Sequence, residues 1–178
     1  MNKGEIDSAL RQIAAGDNAA FARLYTETRR GVYAFLFSYF RDSTDCEDVM
    51  QTTYLKIKQN IGQYQPGTNG LSWILQIAKN TALNELRSRS ARRKLEETAM
   101  TVTEDDRSCD SMETRFALME ILKRELDEEE QRIVILHVLW GYKHREIAGI
   151  LQCPLGTVTS KYKRAAAKLR TAWKEAQA

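Results

Sequence analysis

The sequence predicts an all-α protein: two small helical domains joined by an acidic flexible linker. Three observations carry this. Gly and Pro are scarce, 9 and 2 in 178 residues, and alternating Val/Ile/Thr runs are absent. Apolar residues recur instead at spacings of three and four. The composition also flips to acid once, over 95–113, and divides the helical pattern in two.

Taken in order, Ile6, Leu10 and Ile13 fall at i, i+4, i+7, a short amphipathic helix that Gly16 ends. Asp17 is placed to cap the next helix, which is expected to run to about Phe40. Phe21, Leu24, Tyr25, Thr28, Val32, Phe35, Leu36 and Tyr39 form its stripe. Tyr33, Phe37 and Phe40 add apolar surface elsewhere, so its second half is expected to be buried all round. Thr44 and Glu47 read as a capping box that opens a third helix, to about Asn60. Its core stripe is Val49, Met50, Thr53, Tyr54 and Ile57. "GQYQPGTNG" (62–70) is the strongest loop signal, with three Gly and a Pro. Ser72 is expected to cap a helix over 73–89, buried along Trp73, Ile74, Ile77, Ala78, Thr81 and Leu86. It leads into "RSRSARRK", five cations in eight residues.

Residues 95–113 then hold seven acids and one Arg, with almost no large apolar side chains. A relaxed chain of that length spans about 22–26 Å, so the two halves are expected to be held loosely. Helical pattern resumes near Glu113, with Leu118, Leu122 and Leu126 spaced by four. Asp127 and Glu130 open a helix through "QRIVILHVLW", which stops at Gly141. Two more helices are expected, over about 144–151 and 155–173.

Composition excludes several function classes. Cys46, Cys109 and Cys153 are odd in number, far apart and without metal-ligand spacing, which fits reduced thiols in a cytosolic protein. No apolar run reaches the ~18 residues of a membrane span. The first residues carry acids and no continuous apolar core, so no signal peptide is expected. No catalytic triad, phosphate-cradling Gly-rich motif or metal set is present, and neither cofactor nor metal is expected. His137 and His144 read as packing and surface residues.

The net charge is only +3, so its distribution carries the information. From Pro154 to Lys174 there are six Lys or Arg and no acid. A short helix, a turn at Cys153–Gly156 and this basic helix have the layout of a helix-turn-helix. Val158, Tyr162, Ala165 and Leu169 give the basic helix its buried stripe, and Thr157, Lys161, Arg164 and Lys168 repeat on a neighbouring one. Ala165, Ala166 and Ala167 keep it slim enough for a major groove about 12 Å wide. Thr157, Thr159, Ser160 and Lys161 are placed to reach base edges, and Lys163, Arg164 and Lys168 to reach phosphates.

These residues carry a resemblance. "LDEEEQRIVILHVLWGYKHREIAGILQCPLGTVTSKYKRAAAKLR" (126–170) resembles region 4, the −35-binding part of bacterial sigma factors of the extracytoplasmic-function (ECF) group. "DCEDVMQTTYLKI" (45–57) resembles the region 2 helix that docks on polymerase, and "YQPGTNGLSWILQIAKNTALNELRSR" (64–89) the loop and helix that open the −10 element. Thr52 and Asn84 stand where acids are common in the family, and the Pro66–Gly70 loop is unusual for it. The resemblance implies region 2 over 1–94, a linker over 95–113 that threads the polymerase RNA channel, and region 4 over 114–178.

It further implies these partners: core RNA polymerase, through its β′ clamp helices and β flap; promoter DNA, duplex at −35 and single-stranded at −10; and an anti-sigma factor. Asp45, Glu47, Asp48 and Gln51 would form the docking patch, where the helix dipole favours acids and a basic partner surface would be complementary. Asn80, Asn84 and Arg87 share one face at i, i+4, i+7. With Tyr64 and Asn69 of the loop, and Lys56 as a phosphate contact, they would follow the −10 strand. Two other readings exist: a stand-alone helix-turn-helix regulator with an N-terminal sensing or dimerising domain, and an all-α enzyme, for which the sequence offers no candidate set.

Overall fold

The computed structural model describes residues 1–40, 42–96 and 121–175. The linker expected over 95–113 lies almost wholly outside them. The described residues are helical, with no strand among them.

Helix α1 (Lys3–Ala14) opens on a capping box between Asn2 and Glu5. Gly16 turns the chain at φ +93°, and Asp17 caps α2 (Asn18–Phe37) by accepting from the backbone N–H of Ala19 and Ala20. This helix ends at Phe37, three residues short of the expected Phe40. Helix α3 (Ser43–Gln59) is capped by Asp42, whose side chain accepts from Asp45 N at 3.0 Å, and not by the expected Thr44. A single 3₁₀ turn (Ile61–Gln63) leads to the loop. Helix α4 (Gly70–Glu96) begins earlier than expected, with Asn69 rather than Ser72 at its cap: the Asn69 side chain accepts from Ser72 N at 3.2 Å.

In the second half, helix α5 is described over 121–125. The expected Asp127–Glu130 capping box opens α6 (Glu128–Val134), which continues as a π-helical turn (Ile135–Leu139). Gly141 at φ +66° then reverses the chain into α7 (His144–Leu151). A left-handed Gln152 (φ 57°) makes the turn to α8 (Leu155–Glu175), completing the helix-turn-helix.

Helices α1–α4 pack around Leu10, Leu24, Phe35, Leu36, Ile57, Ile74 and Leu75, all essentially without exposed surface. The expected stripe of α8 is buried at Val158 and Ala165 and half-buried at Tyr162 and Leu169. The two halves are not held loosely, as linker length alone led one to expect. They share one apolar core and meet along a defined seam. The Trp140 indole lies so close over Gly31 of α2 that a Cβ there would overlap it. Tyr142 is fully buried and donates its hydroxyl to Asn69 Oδ1 at 3.4 Å. Lys3 Nζ reaches Glu146 Oε1 at 2.5 Å. Arg132 stacks over Tyr39 at 3.8 Å from the ring centre, and Lys79 reaches the carbonyls of Ile150 and Leu151 at 3.4 Å. The last contact sets a cation on the negative end of the α7 dipole. Linker arithmetic says nothing of how well these two faces fit, and the fit decides.

Candidate nucleic-acid and polymerase interfaces

Helix α8, the second helix of the helix-turn-helix, divides its cations between two faces. On the face turned to α6, Lys161 pairs with Glu129 at 2.8 Å and Asp127 at 3.5 Å, and its side chain is only 18% exposed. The hydrogen bond to Glu129 raises its pKa against the opposing effect of burial. Glu130, 1% exposed, holds Lys168 at 2.7 Å and Arg164 at 3.8 Å. The acids that start α6 therefore neutralise three of the cations expected to meet DNA. Arg164 and Lys168 remain largely exposed while paired. Thr157 is half-buried, and Thr159 is half-buried with its hydroxyl on Leu155 O at 3.0 Å. On the outer face, Ser160, Lys163, Ala167, Arg170 and Lys174 are exposed, and the three cations make no ion pair among the described residues. Arg170 and Lys174 were not nominated from sequence. Their spacing from Lys163, at i+7 and i+11, was the signal. Behind α8, the rings of His137, His144 and Tyr162 pack together, with centroids 4.6–5.1 Å apart.

The loop before α4 is built from beneath. Tyr64, expected to face a strand, is buried beside Trp73 at 5.3 Å between ring centres, and its hydroxyl donates to Asp7 of α1. Burial, and then that hydrogen bond, push the Tyr64 hydroxyl up to about 12. Asp7 also accepts from Gly67 N at 2.9 Å and pairs with Arg11. The donors Tyr64, then Gly67, hold its carboxyl below the ordinary Asp value despite desolvation. Above this base, Gln65, Pro66, Gly67 and Thr68 are exposed. Asn80, Asn84 and Arg87 are exposed along one side of α4, as their spacing predicted. Lys56 is half-buried on α3. Asn69 is half-buried, shared between the α4 cap and Tyr142.

On α3, Asp45 is taken up by Arg89, which donates to it through Nη2 at 2.7 Å and through Nη1, so it serves α4 rather than an open patch. Glu47, Asp48 and Gln51 are exposed, and the two acids make no ion pair among the described residues. Leu55, 61% exposed one turn further on, shares their side of the helix; it was missed because it lies next to the buried stripe of Thr53, Tyr54 and Ile57.

Comparison with known proteins decides the family. Residues 24–92 match the family model for Sigma-70 region 2, and 117–169 that for Sigma-70 region 4. The chain belongs to the sigma-70 family. Its curated relatives are ECF RNA polymerase sigma factors. It is 27% identical to SigK of Mycobacterium tuberculosis H37Rv over 93% of this chain and 92% of the relative. It is 38% identical to SigK of Mycolicibacterium vanbaalenii over 49% of this chain and 45% of that relative, so this second match spans about half of each. Among solved structures, the fold resembles CnrH in complex with the cytosolic domain of CnrY (TM-score 0.67, 22% identity, 98% of this chain and 99% of that one). It also resembles RpoE of Bartonella quintana in complex with the anti-sigma factor NepR (TM-score 0.68, 20% identity, 86% and 96%). The chain is thus an ECF-type sigma factor, a protein of promoter recognition by RNA polymerase. Among the described residues, no helix is long and apolar enough to cross a membrane.

Proposed function

We propose that this sigma factor uses three separate faces. Residues 1–94 act as region 2. The outer side of α3, with Glu47, Asp48, Gln51 and Leu55, docks on the β′ clamp helices of core polymerase. The loop 61–69 and the outer side of α4, with Asn80, Asn84 and Arg87, hold the unstacked −10 non-template strand, and Lys56 adds a phosphate contact. Residues 114–178 act as region 4: α8 enters the −35 major groove with Thr157, Thr159 and Ser160 towards base edges and Lys163, Arg164, Lys168 and Arg170 towards phosphates, while this domain meets the β flap. Residues 95–113 tether the two and follow the polymerase RNA channel. The polymerase supplies the chemistry, so the chain is no enzyme, and it works in the cytoplasm where that machinery is. An anti-sigma factor is a further partner, in line with the complexes in which the structural neighbours were solved.

One observation carries this reading over that of a stand-alone regulator. The same chain bears an exposed acidic and apolar face on α3 as well as basic residues on α4 and α8 that make no ion pair among the described residues. A regulator that binds a palindrome by itself has no use for the first. The test is a gel shift on promoter DNA with and without core polymerase, followed by run-off transcription. Specific binding that needs polymerase supports the proposal. Equal specific binding by the chain alone, with no transcription, overturns it.

A further inference from the structure

Asp7 lies outside the segment that matches region 2, yet it is the side chain that holds the loop in place. It sits on α1, and its carboxylate takes the Tyr64 hydroxyl and Gly67 N–H (2.9 Å) on one oxygen and Arg11 on the other. The Tyr64 hydroxyl also lies 3.3 Å from Thr68 O. One carboxylate thus gathers both limbs of the turn that presents Gln65–Thr68. The turn needs such a fixing point, because Gly67 stands at φ +82°, where the chain has little intrinsic preference of its own. Helix α1 is pressed against the same place. A Cβ on Gly70 would come within 2.7 Å of Leu10 and 3.1 Å of Ile6 and of the Tyr64 hydroxyl. The contact is therefore set at backbone distance.

We propose that Asp7 is a positioning residue for −10 recognition: by fixing Tyr64 and Gly67 from below, it sets the shape in which the loop meets the unstacked base. This rests on the reading that the loop holds the −10 strand. An unstacked base is held by close backbone and side-chain contacts, so a loop whose backbone loses its acceptor changes which base fits rather than merely how tightly DNA is held.

The test uses holoenzyme reconstituted with full-length Asp7→Asn and, separately, Tyr64→Phe. Asp7→Asn keeps the shape of the side chain and removes its charge and half its accepting capacity. Tyr64→Phe removes one donor and keeps the ring on Trp73. Transcription is read on promoters randomised at −10 and, separately, at −35, with polymerase affinity measured alongside. The ranking of −10 bases should shift by about 2- to 10-fold, the worth of one hydrogen bond, with the −35 ranking and polymerase affinity unchanged. A uniform loss across the −10 library, or no change, would overturn the proposal. Asn69→Ala separates this failure from that of the underlying reading. If Asn69→Ala alters the −10 ranking and neither Asp7→Asn nor Tyr64→Phe does, only the role of Asp7 fails. If none of the three alters it, the loop does not read the strand at all. Should Asp7→Asn not fold, Tyr64→Phe carries the same expectation and the same refutation.

Discussion

The Tyr142 hydroxyl of region 4 lies 3.4 Å from Asn69 Oδ1 and 3.3 Å from Ser72 Oγ of region 2. A side chain of region 4 thus rests on the residue that caps α4 in region 2. Asn69 Oδ1 already accepts from both Ser72 N and Tyr142, which fills its two lone pairs. Under the proposal that the loop holds the −10 strand, closure of the two halves and strand capture would therefore compete at this point. Tyr142→Phe removes only the hydroxyl. Free protein carrying it should bind a labelled −10 non-template oligonucleotide about 2- to 10-fold more tightly, by the loss of one hydrogen bond from the closed state. Fluorescence anisotropy measures this. Unchanged affinity would mean that the seam does not restrain the loop.

The seam has a second point without slack. Because a Cβ on Gly31 would overlap the Trp140 ring, Gly31→Ala must push the indole away. Overpacking of this kind costs about 1–3 kcal/mol. The variant should unfold at lower denaturant, and its tryptophan emission should shift to the red as Trp140 gains water. Emission identical to wild type would show that the two helices do not meet there in solution.

What the sequence disclosed and what it hid follow one rule: local patterns were legible and contacts between distant segments were not. Asp17, Gly16 and the Asp127–Glu130 box were read correctly because a cap acts within four residues. At α3, three adjacent capping types, Asp42, Ser43 and Thr44, competed, and the charged one took the position. At α4, Gly70 looked like loop, but its missing side chain lets α1 approach, and the helix starts there. The exposed line Asn80, Asn84, Arg87 was legible from spacing alone. The burial of Tyr64 against Asp7, 57 residues away in sequence, was not. Nor was the loss of Lys161 to α6, because spacing groups Lys161 with Arg164 and Lys168 without saying which helix they face.

Acid should loosen the seam. Lys3, and then the Lys143 N–H, hold the Glu146 carboxyl below its ordinary value. A carboxyl depressed in the folded state contributes stability that is present above its unfolded pKa and lost as pH falls through the folded one. The window therefore begins near 4.5, the unfolded value for Glu146, and extends below. The Lys3–Glu146 pair is partly exposed, so its share is small. Energy transfer between labels on the two halves should report separation below that point, and Lys3→Met should make the distance less sensitive to acid. Separation starting near neutral pH would assign the change to other groups.

The two faces of α8 predict different consequences for the loss of a cation. Lys163 and Arg170 are exposed, seven residues apart on one side, and no acid among the described residues pairs with them. Each is free to replace a counterion on a phosphate. Lys163→Ala and Arg170→Ala should each weaken holoenzyme binding to all −35 sequences alike and reduce the salt slope by about 1. Lys161 is different. Its side chain is 18% exposed and already satisfied by Glu129 and Asp127. To reach DNA it would have to abandon both, leaving two acids facing the phosphates. Lys161→Ala should therefore lower the stability of region 4 and leave the salt slope nearly unchanged. Binding isotherms at several salt concentrations, beside denaturant unfolding of the same proteins, separate the two effects. A slope reduced by Lys161→Ala but not by Lys163→Ala would turn the DNA-facing side of the helix towards α6 and overturn the assignment of its outer face.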